Sequence, residues 1–567
     1  MRRPGVDIFA ALGVAVLAVA AVNAWLATTV SREETLYQAD HVAHWAMSVD
    51  LARRLQADPL AALGAVASSF DRPLNLLPVL PVATVLTVAG ESRVAYVLTV
   101  ANLYALPSLM ILVLLVRRAC ADTSWLTAAG SALLASLLLL PALWQPVLLG
   151  YVGVGGIGLA LLAWLLYVVP ERAPSMPVLV ATGVLLALLL LLRRWWGFWT
   201  VAFCLLVLVD GLLRMGARRR EGWRRAAVAF WPPVAVAGVV AGTLLLVAAP
   251  RIVTVLTTDY ADRFAAYKHV TGLPAELGLF VDRFGLVVLA AATGAAAILG
   301  LQSRLRRLAV LAVAQGVVVL LAMRRIQDPS PQHWYLYLPT LLVLLAVGIA
   351  WLVRGRRRLA ALGIAACAGA LVTAAALIPL QSAPWTPEAR IQPMVRDDIA
   401  EVRRLLETLD ELQDRRPGWI YVLDPAGVLP DTALGYAGLS LGTELPVSAR
   451  ILGGAHVDRR DGFPYGIIAA SYVVLTVPRH GIAPASHSLV VTVPSQQLLD
   501  GTGIGAAFRR LPVEVELERG ARGLLYERVR SHTPEEVASL DAPLRRAYPD
   551  RPELHFHPPE AEATGGE

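Results

Sequence analysis

A mainly α-helical protein that crosses a membrane many times, followed by an α/β domain in water, is predicted by three observations. The chain of 567 residues is 56% hydrophobic and only 16% charged, whereas a soluble domain carries about a quarter charged residues. Long apolar runs recur until about residue 380 and then stop. Beyond them the texture is mixed, over a length that suits one ordinary soluble domain. The expected division is a transmembrane domain over 1–380, a soluble α/β domain over 381–553 and a disordered tail over 554–567.

A helix needs about 20 residues to cross about 30 Å of hydrocarbon, and by that ruler the chain holds about eleven spans. They are 7–29, 93–116, 125–143, 150–169, 176–193, 197–213, 227–249, 284–302, 307–323, 336–353 and 359–379. The first follows MRRPG and is longer than a signal-peptide core, so it is expected to stay as an anchor. Residues 73–90 are apolar as well, but Pro73, Pro78 and Pro81 interrupt helical bonding, and a further crossing there would reverse every later loop. A juxtamembrane or re-entrant helix is expected instead.

The net charge of +7 comes mostly from arginine. Arg2–Arg3, Arg117–Arg118, Arg172, the run RMGARRREGWRR, Arg304–Arg307 and Arg354–Arg358 fall at alternate loops. Short cytoplasmic loops are rich in Lys and Arg, so these loops and the N-terminus are assigned to the cytoplasm. The soluble domain is then extracytoplasmic, in a multi-pass protein of the plasma (inner) membrane. Arginines dispersed between apolar runs offer no shared basic face, which argues against a nucleic-acid partner. The cysteines are Cys120, Cys204 and Cys367, none in the soluble part and none in a CxxC pair, so neither a disulfide framework nor a structural zinc site is expected.

Four segments fall on the outer side. The loop 31–92 supplies Asp40, His41, His44 and Arg72, and LLRRWWGFW supplies Arg193 and Arg194. TTDYADRFAAYKHV brings Asp259, Tyr260, Asp262, Arg263, Tyr267, Lys268 and His269. RRIQDPSPQHWYLYLPT brings Arg324, Arg325, His333, Trp334 and Tyr335. Span interiors show few ionisable groups, no internal repeat and no matched pair of broken helices, which favours surface chemistry over passage.

YQADHVAHWA, DRPLNLLP, GESRVAYVL, LLRRWWG and HWYLYLP, in that order, carry a resemblance. Together they resemble the GT-C superfamily of membrane glycosyltransferases, and within it glycosyltransferase family 39 and the lipid A aminoarabinose transferases. The resemblance covers residues 7–380, and order and sidedness carry it rather than any one motif. It implies a polyprenyl-phosphate sugar as donor, a glycan, lipid or protein of the cell envelope as acceptor, and the bilayer as partner. A carboxylate, Asp40, would take the proton from the acceptor hydroxyl as it attacks the anomeric carbon. Cations would hold the leaving phosphate: Arg72, Arg193, Arg194 and Lys268. His41, Asp259, Asp262, Arg324, His333 and Tyr335 are further substrate-binding candidates. The chain departs from the pattern in having His41 where a second acid is common, Arg72 before the proline where Lys is common, and two arginines at 193–194 for one lysine.

Plain structural readings stand beside these. Asp40 suits a helix N-cap, Arg72 and Arg193 suit headgroup anchors, and Asp259 and Asp262 suit loop solvation. The 333–335 cluster suits an interfacial aromatic belt. His41 and His44 lie three apart on one helix face, a metal pair with Asp40 only if a further ligand joins; no cofactor is assigned. A lipid-linked-glycan flippase or transporter, and an oligosaccharide ligase or polymerase, remain the competing classes.

In the soluble part, MVRDDIAEVRRLLETLDEL reads as an amphipathic helix and WIYVLDPAG as a buried strand ending in a turn. DTALGYAGLSLG reads as helix, YGIIAASYVVLTV as helix then strand, SLVVTV and GLLYERV as strands, and 534–547 as a closing helix. GGAHVDRRDGFPYG gathers Gly, His, Asp and Arg, as a polar loop or as part of a site. DGTGIGAAF has no following Lys, so a phosphate loop is not expected.

Overall fold

The computed structural model describes residues 4–70, 72, 74–170, 174–218, 222–354, 391–424, 427–478 and 483–558. Contacts divide the chain into two bodies: residues 1–32, 47–258 and 270–393 form one, and residues 33–46, 259–269 and 394–567 the other. The boundary falls inside the helix Ala39–Ala57.

The first body is helical, and each predicted span up to residue 353 carries a helix. Five are long and apolar enough to cross a bilayer: Asp7–Val30, Arg93–Ala119, Trp196–Ala217, Phe230–Pro250 and Arg306–Arg324. Two more qualify only as bent pairs, Trp125–Leu138 with Leu140–Leu148 at 76° and Leu273–Phe284 with Leu286–Leu301 at 101°. Met176–Leu192 and Leu338–Val353 are shorter, and 359–379 lies outside the described residues. The count of eleven crossings is therefore an upper reading of a set of five to seven long or bent ones plus shorter helices. Residues 80–89 form a helix of 10 residues, about 15 Å long and so too short to cross.

Three expectations about this body need correcting. The segment 125–143 is not one straight span, because the chain breaks at Leu139, ahead of Pro141. Broken helices do occur: Gly285, at φ 79°, turns Leu273–Phe284 sharply into Leu286–Leu301. Buried ionisable groups occur too, since Glu276 and Arg283 are both buried on the first of those helices.

The second body is an α/β layer. Its sheet holds β1 (Ile420–Leu423), β2 (Ile451–Leu452), β3 (Tyr472–Val477), β4 (Phe508–Leu517) and β5 (Ala521–Arg528), in the order β2-β1-β3-β5-β4. The first three are mutually parallel, and β5 pairs antiparallel with both β3 and β4. The helix Ile399–Arg415 lays Val402, Leu405, Leu406 and Leu409 on one face, and Leu36 joins that same core. The helices Leu489–Asp500 and Pro534–Ala547 bury Val490, Leu498, Leu540 and Leu544 in the other.

SLVVTV is helix rather than strand, because its first turn is capped from far away. Asp458, fully buried, accepts the Val490 N–H at 2.9 Å, and a buried carboxylate at a helix N-terminus outweighs β-branched propensity. β4 has no counterpart among the expected strands. At the start of the expected tail, His555 is buried with Nε2 2.8 Å from the Tyr548 carbonyl oxygen, and residues 559–567 lie outside the described ones.

Candidate functional site

The turn that carries Asp40 is built into the α/β body. Glu34 N–H donates to the Met394 carbonyl at 2.9 Å and Arg396 N–H donates back to Glu34 at 2.8 Å. Tyr37 N–H donates to Ser440 Oγ at 3.2 Å and Ala39 N–H to Thr432 Oγ1 at 2.9 Å. Between them Leu36 is sunk in the core at 3% exposure. So anchored, Ala39 takes φ 49°, a left-handed conformation uncommon for a residue with a Cβ. It swings the chain into the helix Ala39–Ala57, with Asp40 in the first turn, where the helix dipole favours a carboxylate. His44 turns Nδ1 onto the Asp40 carbonyl at 2.8 Å.

His41, one residue on, lines a cavity of about 470 Å³ within this body. Its polar wall includes Tyr267, Asp424, Asp431, His456 and Arg460. Asp424, buried, accepts from Thr476 Oγ1 at 2.5 Å and from the Leu429 N–H at 2.8 Å, so it shapes the turn after β1. Asp431 accepts the Gly454 N–H at 2.8 Å through one oxygen and lies 3.3 Å from His456 Nε2 through the other. Burial pushes the Asp431 carboxyl up, but bonds from His456 and the Gly454 amide outweigh it and hold it below the usual range. Arg460 is engaged on every side: Nε and one terminal nitrogen bind Asp461 at 2.6 and 2.8 Å, and the other donates to the Tyr267 hydroxyl at 2.5 Å.

The segment 259–269 belongs to the same body, but most of its candidates are structural. Asp259 caps the turn Tyr260–Arg263, accepting from the amides of Ala261 and Asp262. Asp262 forms ion pairs with Arg459 and, at 2.6 Å, Arg551. Lys268 is exposed, and Tyr267 reaches the cavity.

In the helical body three of the quoted motifs meet. Asn75 of DRPLNLLP donates to the Leu191 carbonyl at 2.6 Å, at the end of the helix that leads into Arg193. Trp195 meets His333 edge-on at 4.4 Å between ring centres, and Trp196 stacks on Tyr335 at 5.4 Å. Trp196 also donates to the Gly153 carbonyl at 2.9 Å. Arg193 is buried, and Arg194 lies over the Trp195 ring at 4.9 Å. His333 is fully buried, with Ser330 Oγ 2.9 Å from its Nδ1, so this cluster packs as an interior rather than as an exposed belt. Arg72 is exposed on the turn after Ser69, and Arg324 pairs with Glu276 at 3.0 Å.

The sequence points to the GGAHVDRRDGFPYG loop but not to Asp424 or Asp431. The available signal is the acid at the end of the apolar strand WIYVLD, since the carboxyl end of a parallel strand is where such sheets place their site residues. Among the described residues no group of three or more His, Cys, Asp or Glu could hold a metal ion.

No family model matches this chain, and no curated protein matches it. Among solved structures it is similar to the crystal structure of ArnT from Cupriavidus metallidurans bound to undecaprenyl phosphate. Identity is 17%, over 76% of this chain and 76% of that chain, with a TM-score of 0.41. A likeness at that level says nothing of reaction or ligand.

Proposed function

We propose that this chain is a GT-C-type membrane glycosyltransferase. It transfers a sugar from a polyprenyl-phosphate donor to a glycan, lipid or protein acceptor on the outer face of the plasma membrane. The N-terminus is cytoplasmic and the α/β domain extracytoplasmic. The observation that carries this reading is the tethered turn at Ala39, which holds Asp40 at a helix start beside His41 on the rim of a polar cavity. Strained backbone of that kind costs about 1–3 kcal/mol and persists where the surroundings enforce it, often at sites of function.

In the proposed reaction the Asp40 carboxylate accepts the proton of an acceptor hydroxyl. The freed oxygen pair forms the bond to the anomeric carbon, and the bond from that carbon to the phosphate oxygen breaks. The electrons leave with the polyprenyl phosphate, whose charge Arg72, Arg193 and Arg194 of the helical body stabilise. A single displacement inverts the anomeric configuration. The apolar helix surfaces provide for the lipid tail. The convergence of DRPLNLLP, LLRRWWG and HWYLYLP in the helical body supports a shared donor site there.

A second reading, a lipid-linked-glycan flippase, draws support from the 101° helix break and from buried Glu276 and Arg283. The test is transfer of radiolabelled sugar from a panel of polyprenyl-phosphate sugars in membranes carrying wild type or Asp40→Asn. Loss of a general base costs about 10²–10⁴-fold in rate, so transfer falls by that factor while protein level and donor binding hold. Undiminished transfer removes Asp40 as the base. Movement of lipid-linked sugar between leaflets, with no transfer from any donor, replaces the enzyme reading with the flippase.

A further inference from the structure

The three parallel strands all end at one cavity. Asp424 and Gly427 follow β1, Gly454 and His456 follow β2, and Ser488 lies on the segment after β3. In the order β2-β1-β3 the chain leaves β1 towards β2 on one side and returns to β3 on the other. Open α/β sheets bind ligands at such points, outside the carboxyl ends, because diverging connections leave a crevice between them. The volume of about 470 Å³ is that of a small-molecule site, which runs to about 300–1,000 Å³.

The lining selects the ligand. The Asp431 oxygens meet the Gly454 N–H at 2.8 Å and His456 Nε2 at 3.3 Å, and a carboxylate can take about four hydrogen bonds in all. The His41 imidazole and the Ser488 hydroxyl add further polar groups to the wall. Among the described residues of the wall the guanidinium is that of Arg460, neutralised by Asp461 and held by Tyr267. A carboxylate wall whose nearest cation is already paired repels an anion and favours a ligand rich in neutral hydroxyl donors.

We propose that this cavity binds a neutral, hydroxyl-rich glycan, with Asp431 and His456 engaging adjacent sugar hydroxyls. The proposal rests on the glycosyl-transfer reading only for the part it gives the glycan, that of acceptor. Asp431 accepts a sugar hydroxyl, His456 pairs with its neighbour, and His41 carries the glycan towards the turn that holds Asp40.

Binding is measured without turnover, by saturation-transfer NMR and calorimetry on the full chain in nanodiscs. The probes are manno-, galacto-, gluco- and arabino-oligosaccharides of four to six units, with inorganic phosphate as the anionic control. At least one oligosaccharide binds wild type, and Asp431→Asn and His456→Ala each weaken it tenfold or more. Asp431→Asn keeps an oxygen for the Gly454 amide, and an unchanged melting temperature separates lost binding from lost fold. The measurement needs no turnover, so failure of the catalytic reading and failure of the binding site show separately. Binding to none of the four glycans, equal affinity in both variants, or displacement of the glycan by phosphate overturns the proposal.

Discussion

The Arg460 guanidinium donates to the Tyr267 hydroxyl at 2.5 Å, across a sequence separation of 193 residues. It is one of a set of polar ties that make 259–269 part of the α/β body, and Asp262 adds two more by taking both Arg459 and Arg551. Asp262→Ala is expected to take the carboxylate from Arg459, to leave Arg551 with Glu553 alone, and to loosen the segment. Such exposed pairs contribute weakly, so amide exchange over 259–269 rises severalfold rather than by orders of magnitude. Asp262→Asn recovers part of the protection. Unchanged exchange in Asp262→Ala would show that the segment is held by other contacts.

Leu36 sits four residues before Asp40 and in the core formed by Val402, Leu405 and Leu434. Truncating a buried leucine costs about 2–5 kcal/mol through lost transfer energy and the cavity left behind. Leu36→Ala should therefore lower the unfolding temperature of the α/β body and, by releasing the Ala39 turn, depress transfer as well. Leu36→Met, which conserves volume, stays within about 1.5 kcal/mol of wild type. Scanning calorimetry beside the transfer assay reads both, and a Leu36→Ala variant with wild-type melting would contradict the anchoring role.

In the helical body a Cβ on Gly156 would stand 2.1 Å from Cε2 of Trp196, an indole stacked on Tyr335 and bonded to Gly153. Gly156→Ala forces that ring to move, at about 1–3 kcal/mol for an overpacked interior. Thermal unfolding in detergent measures it. Combining Gly156→Ala with Trp196→Phe should cost less than the sum of the two, because the second change makes room for the first. Strict additivity would mean the two positions do not compete for space.

His532 predicts a pH effect. Its side chain is 3% exposed, its ring 5.5 Å from Phe508, and burial, followed by the charge of Arg528, lowers its pKa below the ordinary value. The unfolded chain then takes up this proton more readily than the folded one, so stability rises with pH through the window. The contribution is complete above about pH 6.5, the ordinary histidine value, and erodes as pH falls below it. Hydrogen exchange of Ala521–Arg528 and Pro534–Ala547 between pH 7.5 and 5 should show the loss, and His532→Phe should flatten it. A slope unchanged by His532→Phe would assign the effect to another group.

Many of these elements are legible in the amino-acid order. The apolar runs announce their helices because hydropathy and length are local properties of the chain, and helix Ile399–Arg415 announces itself by its apolar spacing. Strands β1, β3 and β5 are equally plain, since short buried runs rich in Val, Ile, Leu and Tyr are local too. Asp40 and His41 stand out by type and position. The motifs DRPLNLLP, LLRRWWG and HWYLYLP are visible, but not the bond from Asn75 to Leu191 or the ring stacks that join them.

Composition, spacing and charge order by themselves determined that this chain is a set of apolar helices followed by an α/β domain, because each of those signals needs only near neighbours. Tertiary structure alone decided the rest. It bent the helices at Leu139 and Gly285, turned SLVVTV into a helix through the carboxylate of Asp458, and made structural anchors of Asp259 and Asp262. It also brought His41, Tyr267, Asp431 and His456 to one cavity from three separate stretches of chain. Ion pairs, distant caps and cavities depend on which surfaces meet, and no window of sequence contains both partners.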